Sequence, residues 1–235
     1  MNIKAIFFDL DDTLHDHHAP FARAIIPLIT SSESQLNTVD MYKTFRYYSD
    51  VLWKEYDGGE IPLDQLRIER IVRTLKDYEV EVSNEKAIRF QQSYENELNT
   101  LTLFPEVPML IKELKKVGVE VGLITNGPIQ HQRMKIQQLG LDEYFLENHI
   151  FISDQVGKAK PDPYIFEVAA REIKLPSENL LYVGDSWEND VVGPMKAGWN
   201  AVWFNHRGKH PLTDHKPIAE INTLSTLLAL VKYDN

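Results

Sequence analysis

Four short clusters hold the residues with chemical potential, and each follows an apolar run. The first is Asp9-Leu10-Asp11-Asp12-Thr13. Side chains alternate faces in an extended segment, so Asp9 and Asp11 point the same way. Two carboxylates on one side attract a hard cation or share a proton. One can attack as a nucleophile while the other handles protons. Taken alone, the cluster reads equally well as a polar turn with a helix cap. The second cluster is Thr125-Asn126-Gly127-Pro128. A hydroxyl with free backbone N–H groups where a helix begins suits a phosphate, and an ordinary strand-to-helix turn has the same composition. The third, Lys158-Ala159-Lys160-Pro161-Asp162-Pro163, places two lysines beside rigid prolines. A lysine there can neutralise a nucleophilic carboxylate and a phosphoryl oxygen together; a solvated basic loop is the plainer alternative. The fourth runs from Gly184 and Asp185 to Asp190. Asp185 could ligate a metal and Asp190 could orient a lysine or ligand, or the pair could simply favour the positive end of a helix.

These clusters need elements to hold them. Residues 3–10 form a short run rich in Ile and Phe, which predicts a fully buried strand. Residues 119–125, 149–153, 179–183 and 200–204 repeat the pattern. Between them, residues 107–117, 129–139, 163–173 and 189–197 have helical character, and three of these segments stop at Gly118, Gly140 and Gly198. Alternation of this kind predicts right-handed βαβ units, a doubly wound Rossmann-like parallel sheet, and ligands at the carboxyl ends of its strands. Residues 15–102 break the alternation with repeated helical patterns, such as Phe45, Tyr48, Leu52 and Tyr56 on one face. They read as a helical insert after the first strand. Residues 221–231 predict a last helix packed on the sheet.

The 235-residue chain is long enough for one large domain or a core with a smaller companion. Its net charge of −10 argues against nucleic-acid polymers and anionic lipid as extended partners. A small anion is still acceptable where a cation and a lysine reverse the field locally. With no cysteine, disulfides, thiolate metal sites and cysteine nucleophiles are excluded. The opening residues do not read as a signal peptide. No stretch approaches the roughly 18 apolar residues of a membrane span. The expected location is the cytoplasm.

Together and in this order, the clusters resemble the haloacid dehalogenase-like (HAD) hydrolase superfamily. Its pattern is a DxDx[TV] start, a Ser or Thr after the second strand, a downstream Lys, and a GDxxxxD end. They stand here at residues 9–13, Thr125, Lys160 and residues 184–190. The resemblance spans the chain, with residues 1–14 plus 103–235 as the Rossmann-like catalytic core and residues 15–102 as a helical cap. It implies a Mg²⁺-dependent phosphatase that hydrolyses small phosphorylated metabolites, as monoesters, through an aspartyl-phosphate. In that scheme Asp9 attacks phosphorus, and Asp11 protonates the leaving oxygen and later deprotonates water. Thr125 and the amide of Asn126 bind the phosphoryl group, and Lys160 stabilises its charge. Asp9, the backbone carbonyl of Asp11, and Asp185 hold Mg²⁺, while Asp190 supports Lys160 or the metal shell. Lys160 is chosen over Lys158 because the family lysine directly precedes a proline. The stretches TNGPIQHQRMKIQQLGL and KAKPDPYIF are similar to the house-cleaning and pyrimidine-type nucleotidase subgroup, which makes a 5′-nucleotidase one form of the activity.

Three other readings compete. The dehalogenase branch lacks the second aspartate of the first motif, which is present here as Asp11. A sugar phosphomutase uses the same aspartate pair, although its usual start is DLDGV and this chain has DLDDTL. A phospho-receiver or regulatory module shares the Asp, Thr and Lys chemistry but carries no helical cap. The insert's aromatic residues Tyr42, Phe45, Tyr47, Tyr48, Trp53 and Tyr56 could stack on a substrate. At helical spacing, Phe45, Tyr48 and Tyr56 are expected to be core instead. His15, His17, His18 and Trp187 receive no role.

Overall fold

The computed structural model describes residues 2–29 and 36–232, with only the backbone described at residues 50, 54, 57, 231 and 232. Strand β1 forms at Ala5–Phe8, with all four side chains buried. The chain divides into two compact units, Met1–Asp16 with Thr102–Asn235, and His17–Leu101.

The second unit consists of helices α1 (His18–Ile25), α2 (Thr38–Asp57), α3 (Leu63–Asp77) and α4 (Asn84–Leu98). Among its described residues there is no strand. Its core is built from Phe21, Met41, Phe45, Ile71, Leu75 and Phe90, among others. Ser83 starts α4 by accepting a hydrogen bond from the Lys86 amide at 3.3 Å, a side-chain N-cap. Phe45 is core, as its spacing predicts. Tyr48 and Tyr56 are not. They lie on the expected stripe but are only partly buried. The Tyr48 hydroxyl reaches out to Asp77 at 2.9 Å, and Tyr56 leans on Trp53 with ring centroids 5.2 Å apart. An aromatic ring with a polar tip settles at the edge of a core when water or a surface carboxylate is within reach.

The first unit continues with α5 (Val107–Lys116), β2 (Glu120–Thr125), α6 (Ile129–Gln138), β3 (Ile150–Ile152), α7 (Ser153–Val156), α8 (Tyr164–Ile173) and β4 (Leu180–Gly184). It closes with α9 (Gly193–Lys196), β5 (Asn200–Phe204), β6 (Ala219–Ile221) and α10 (Leu227–Lys232). The six strands form one sheet in the order β3-β2-β1-β4-β5-β6, and every neighbouring pair is parallel. This is the doubly wound α/β arrangement, whose order reverses at β1 and β4. One face of the sheet packs Phe7, Ile124 and Tyr182 against Ile165, Phe166 and Ala169 of α8. Five strands are legible in the sequence and the sixth is not. Strand β6 has three residues, one of them buried, which leaves no apolar run to read. The predicted last helix is correspondingly shorter, since residues 219–221 are strand and α10 begins at Leu227. The helix expected over residues 189–197 begins as a wide turn of π-helix at Trp187–Val192 before α9.

Candidate active site

Parallel pairing sets the site. Phe8 lies beside both Leu123 and Val183, so the residues that follow β1, β2 and β4 emerge together. Asp9 is anchored there by its amide, which donates to the Val183 carbonyl at 2.9 Å. Its side chain is buried, as are those of Thr125, Lys160, Asp185 and Asp190.

Lys160 is the hub. Its Nζ lies 2.7 Å from Asp9 Oδ1, from Asp190 Oδ1 and from the Tyr182 hydroxyl. Burial opposes its charge, but Asp190 and Asp9 more than compensate and hold the ammonium well above its ordinary range. The Tyr182 hydroxyl, pushed up by burial, keeps its proton and donates it to the Ile124 carbonyl at 2.6 Å. Lys158 is exposed and lies 3.8 Å from Asp162. Asp190 also accepts from the Ser186 amide at 2.9 Å. Its carboxyl group crosses directly over Gly184, where an added Cβ would come within 2.4 Å of Asp190 Cγ. The glycine therefore makes room for an aspartate.

Asp9, Asp185 and Asp190 each offer an oxygen within 4.8 Å of the others. These are hard donors without thiolate or imidazole, a set suited to Mg²⁺ or a similar cation. Both Asp190 oxygens already have partners, Lys160 and the Ser186 amide, whereas Asp9 and Asp185 each hold a lysine through one oxygen. Burial, partly offset by Lys160, pushes the Asp9 carboxyl up to about 7. Burial, partly offset by Lys209, pushes Asp185 up to about 6. Two carboxylates that resist ionisation in a confined space are what a divalent cation would relieve.

Thr125 and Asn126 stand at the end of β2. The Thr125 hydroxyl accepts from the Gln132 side chain. The Asn126 side chain pairs reciprocally with the Lys160 backbone, donating to its carbonyl and accepting from its amide, each at 2.9 Å. Asn126 thus ties the second cluster to the third. Asp11 does not lie on Lys160. Its carboxylate is gripped by Lys135 at 2.6 and 2.5 Å, with His15 Nε2 at 3.0 Å and Gln132 Nε2 at 3.3 Å. Asp12 adopts a left-handed φ of 61°, uncommon outside glycine. Its carbonyl meets His206 Nε2 at 3.0 Å and its carboxylate meets Arg207 at 2.7 Å.

Several of these residues escape a reading of motifs. Lys209 contacts Asp185 Oδ2 at 2.6 Å, and Trp203 Nε1 donates to the Asp185 carbonyl at 3.0 Å. His206, Arg207 and Lys209 follow β5, a fifth strand end where no acidic cluster draws notice. Tyr182 hides inside an apolar run. Gln132 and Lys135 sit on α6 among ordinary polar residues. Trp187 packs on Trp203, with centroids 4.8 Å apart, and donates to Thr213 at 2.9 Å. A separate hollow of about 290 Å³ opens at the start of β2 among Lys115, Glu120, Tyr144, Leu146 and His149. It lies at the amino end of the strand, where doubly wound sheets do not place their ligands.

Comparison with known proteins follows the same lines. The chain is 32% identical over 240 residues to glyceraldehyde 3-phosphate phosphatase of Pyrococcus furiosus, covering 99% of this chain and 95% of that one. It is 28% identical over 227 residues to pyrimidine 5′-nucleotidase YjjG of Escherichia coli, covering 94% and 93%. Among solved structures, the HAD-hydrolase YfnB of Bacillus subtilis bound to magnesium matches with a TM-score of 0.70 and 27% identity, covering 98% and 99%. Among the described residues no helix is long and apolar enough to cross a membrane. Residues 3–198 match the family model for haloacid dehalogenase-like hydrolases, and the chain belongs to that family.

Proposed function

We propose that this chain is a Mg²⁺-dependent phosphatase acting on small phosphate monoesters through an aspartyl-phosphate on Asp9. The observation that carries the reading is the buried lysine held between two carboxylates, Asp9 and Asp190, with a third, Asp185, completing a set suited to a cation. Phosphoryl transfer asks chiefly for position and charge neutralisation. Counted as ionised, Asp9, Asp185 and Asp190 exceed Lys160 and Lys209 by one negative charge, which is the charge a cation would offset. Asp9, Asp185 and the Asp11 carbonyl would hold Mg²⁺, which when bound supplies the charge that lets a carboxylate approach a phosphate.

An Asp9 oxygen attacks phosphorus, and the ester P–O bond breaks with its electron pair on the leaving oxygen. Asp11 gives that oxygen a proton, releasing the alcohol. Water then attacks the acyl phosphate and its proton passes to Asp11. The P–O bond to Asp9 breaks, freeing inorganic phosphate and restoring the carboxylate. Thr125 and the Asn126 amide bind phosphoryl oxygens, and Lys160 shares their charge. The helical unit, inserted directly after the segment bearing Asp9 and Asp11, serves as the cap that selects the substrate. The names of the relatives favour two candidate classes, nucleoside monophosphates and triose phosphates. A small phosphorylated metabolite as substrate suits the cytoplasm.

The test is phosphate release from a panel of nucleoside monophosphates, sugar and triose phosphates and an aryl phosphate, with Mg²⁺ and with EDTA. Metal-dependent release that disappears in Asp9→Asn, with an unchanged circular dichroism spectrum, is the expected result. No release from any ester, or near-normal release by Asp9→Asn, would defeat the reading.

A further inference from the structure

The proposed mechanism requires Asp11 to pass a proton twice, yet this carboxylate stands two residues from Asp9, a proposed ligand of the cation. A flexible acidic side chain beside a divalent cation will tend to ligate it, and a carboxylate bound to metal is lost to proton transfer. Something must hold Asp11 off.

The Asp11 carboxylate meets Lys135, Gln132 and His15. Lys135 meets both Asp11 oxygens, at 2.6 and 2.5 Å, from a side chain only 11% exposed. Gln132 lies one helical turn earlier on the same face of α6. It spans two clusters, donating to the Thr125 hydroxyl and lying 3.3 Å from Asp11 Oδ2. His15 approaches the other oxygen at 3.0 Å. A charge-assisted contact to both oxygens is among the stronger contacts available to a carboxylate, with the ammonium acting as a point charge between them.

We propose that Lys135, assisted by Gln132, is a positioning residue that acts as an internal cation, holding the Asp11 side chain off the metal. The proton-transfer role of Asp11 rests on the phosphatase reading; the restraint itself does not. Lys135→Met keeps the length of the side chain and removes its charge. Freed, Asp11 should join the cation's ligands, and cation affinity rises with the number of charged ligands.

Titration calorimetry with Mg²⁺ alone should therefore give a Kd about tenfold tighter in Lys135→Met than in the wild type. Lys135→Arg should restore the wild-type value, and Asp11→Asn/Lys135→Met should lose the gain. Gln132→Leu should shift affinity in the same direction by less and stands in if Lys135→Met folds poorly. In turnover, Lys135→Met should lose about tenfold or more in kcat on an alkyl phosphate. On an aryl phosphate, whose leaving oxygen needs little protonation, the loss should be several-fold smaller. Unchanged or weaker Mg²⁺ binding, or equal losses on both esters, would overturn the proposal. Tighter binding in a protein that hydrolyses no ester would uphold the restraint and defeat the phosphatase reading alone.

Discussion

Each unit withdraws a cation from water, and the two do so in opposite ways. In the sheet unit Lys160 is answered by Asp9, Asp190 and Tyr182, and its ammonium is held well above its ordinary range. In the helical unit Arg70 has no carboxylate partner among the described residues. It donates to Gln91 Oε1 at 2.9 Å and to Ser49 at 3.4 Å, lies 4.4 Å over the Phe45 ring, and leaves its buried Nε without a partner. Burial lowers its pKa to about 10. The sheet unit concentrates opposite charges where chemistry needs a field. The helical unit tolerates a cation by covering it with neutral dipoles and ring faces.

The largest effect should come from Lys160→Met. Removing one partner from a buried ion group strands Asp9 and Asp190, at a cost of about 3–5 kcal/mol. Urea denaturation should record that loss alongside near-complete loss of turnover, whereas Lys158→Met, at an exposed position, should change neither measurably. Equal effects at the two lysines would dissolve the contrast. Arg70→Met should change stability by only about 1 kcal/mol in either direction, because no carboxylate is left behind. The same denaturation series reads it, and a loss near that of Lys160→Met would mean the two cations are held alike.

The smallest effect concerns His206, whose ring stacks on Phe204 at 4.6 Å and meets Phe104 at 5.6 Å. Burial, with Arg207 adding, lowers its pKa below the ordinary 6.5. With a depressed value in the fold, the unfolded chain takes up the proton first. The stability is present above pH 6.5 and is lost as pH falls through the folded value. Melting temperatures below pH 6.5 should fall less steeply for His206→Phe than for the wild type, and identical slopes would remove His206 from the acid response.

Strands β1 to β5 are legible because a strand buried on both faces must be a continuous apolar run. The four clusters are legible because turn residues and acids follow those runs. The expectation that Phe45, Tyr48 and Tyr56 form one core held for Phe45 alone, since periodicity assigns a face but says nothing of how far a neighbouring helix covers it. Lys209 on Asp185, Tyr182 under Lys160, and Lys135 on Asp11 each join residues far apart in the chain.

The sequence by itself determined the alternation of strands and helices, the place of the helical insert, and the order of Asp9, Thr125, Lys160 and Asp185 in the segments that follow strands. Those follow from local pattern, because burial and turn chemistry act within a few residues. Only the tertiary structure decided which oxygen each lysine holds. It also decided that Asp190 contacts Lys160 and that Asp11 is turned onto α6. Such pairings depend on the register of parallel strands brought together by long crossovers, and no local pattern encodes that geometry.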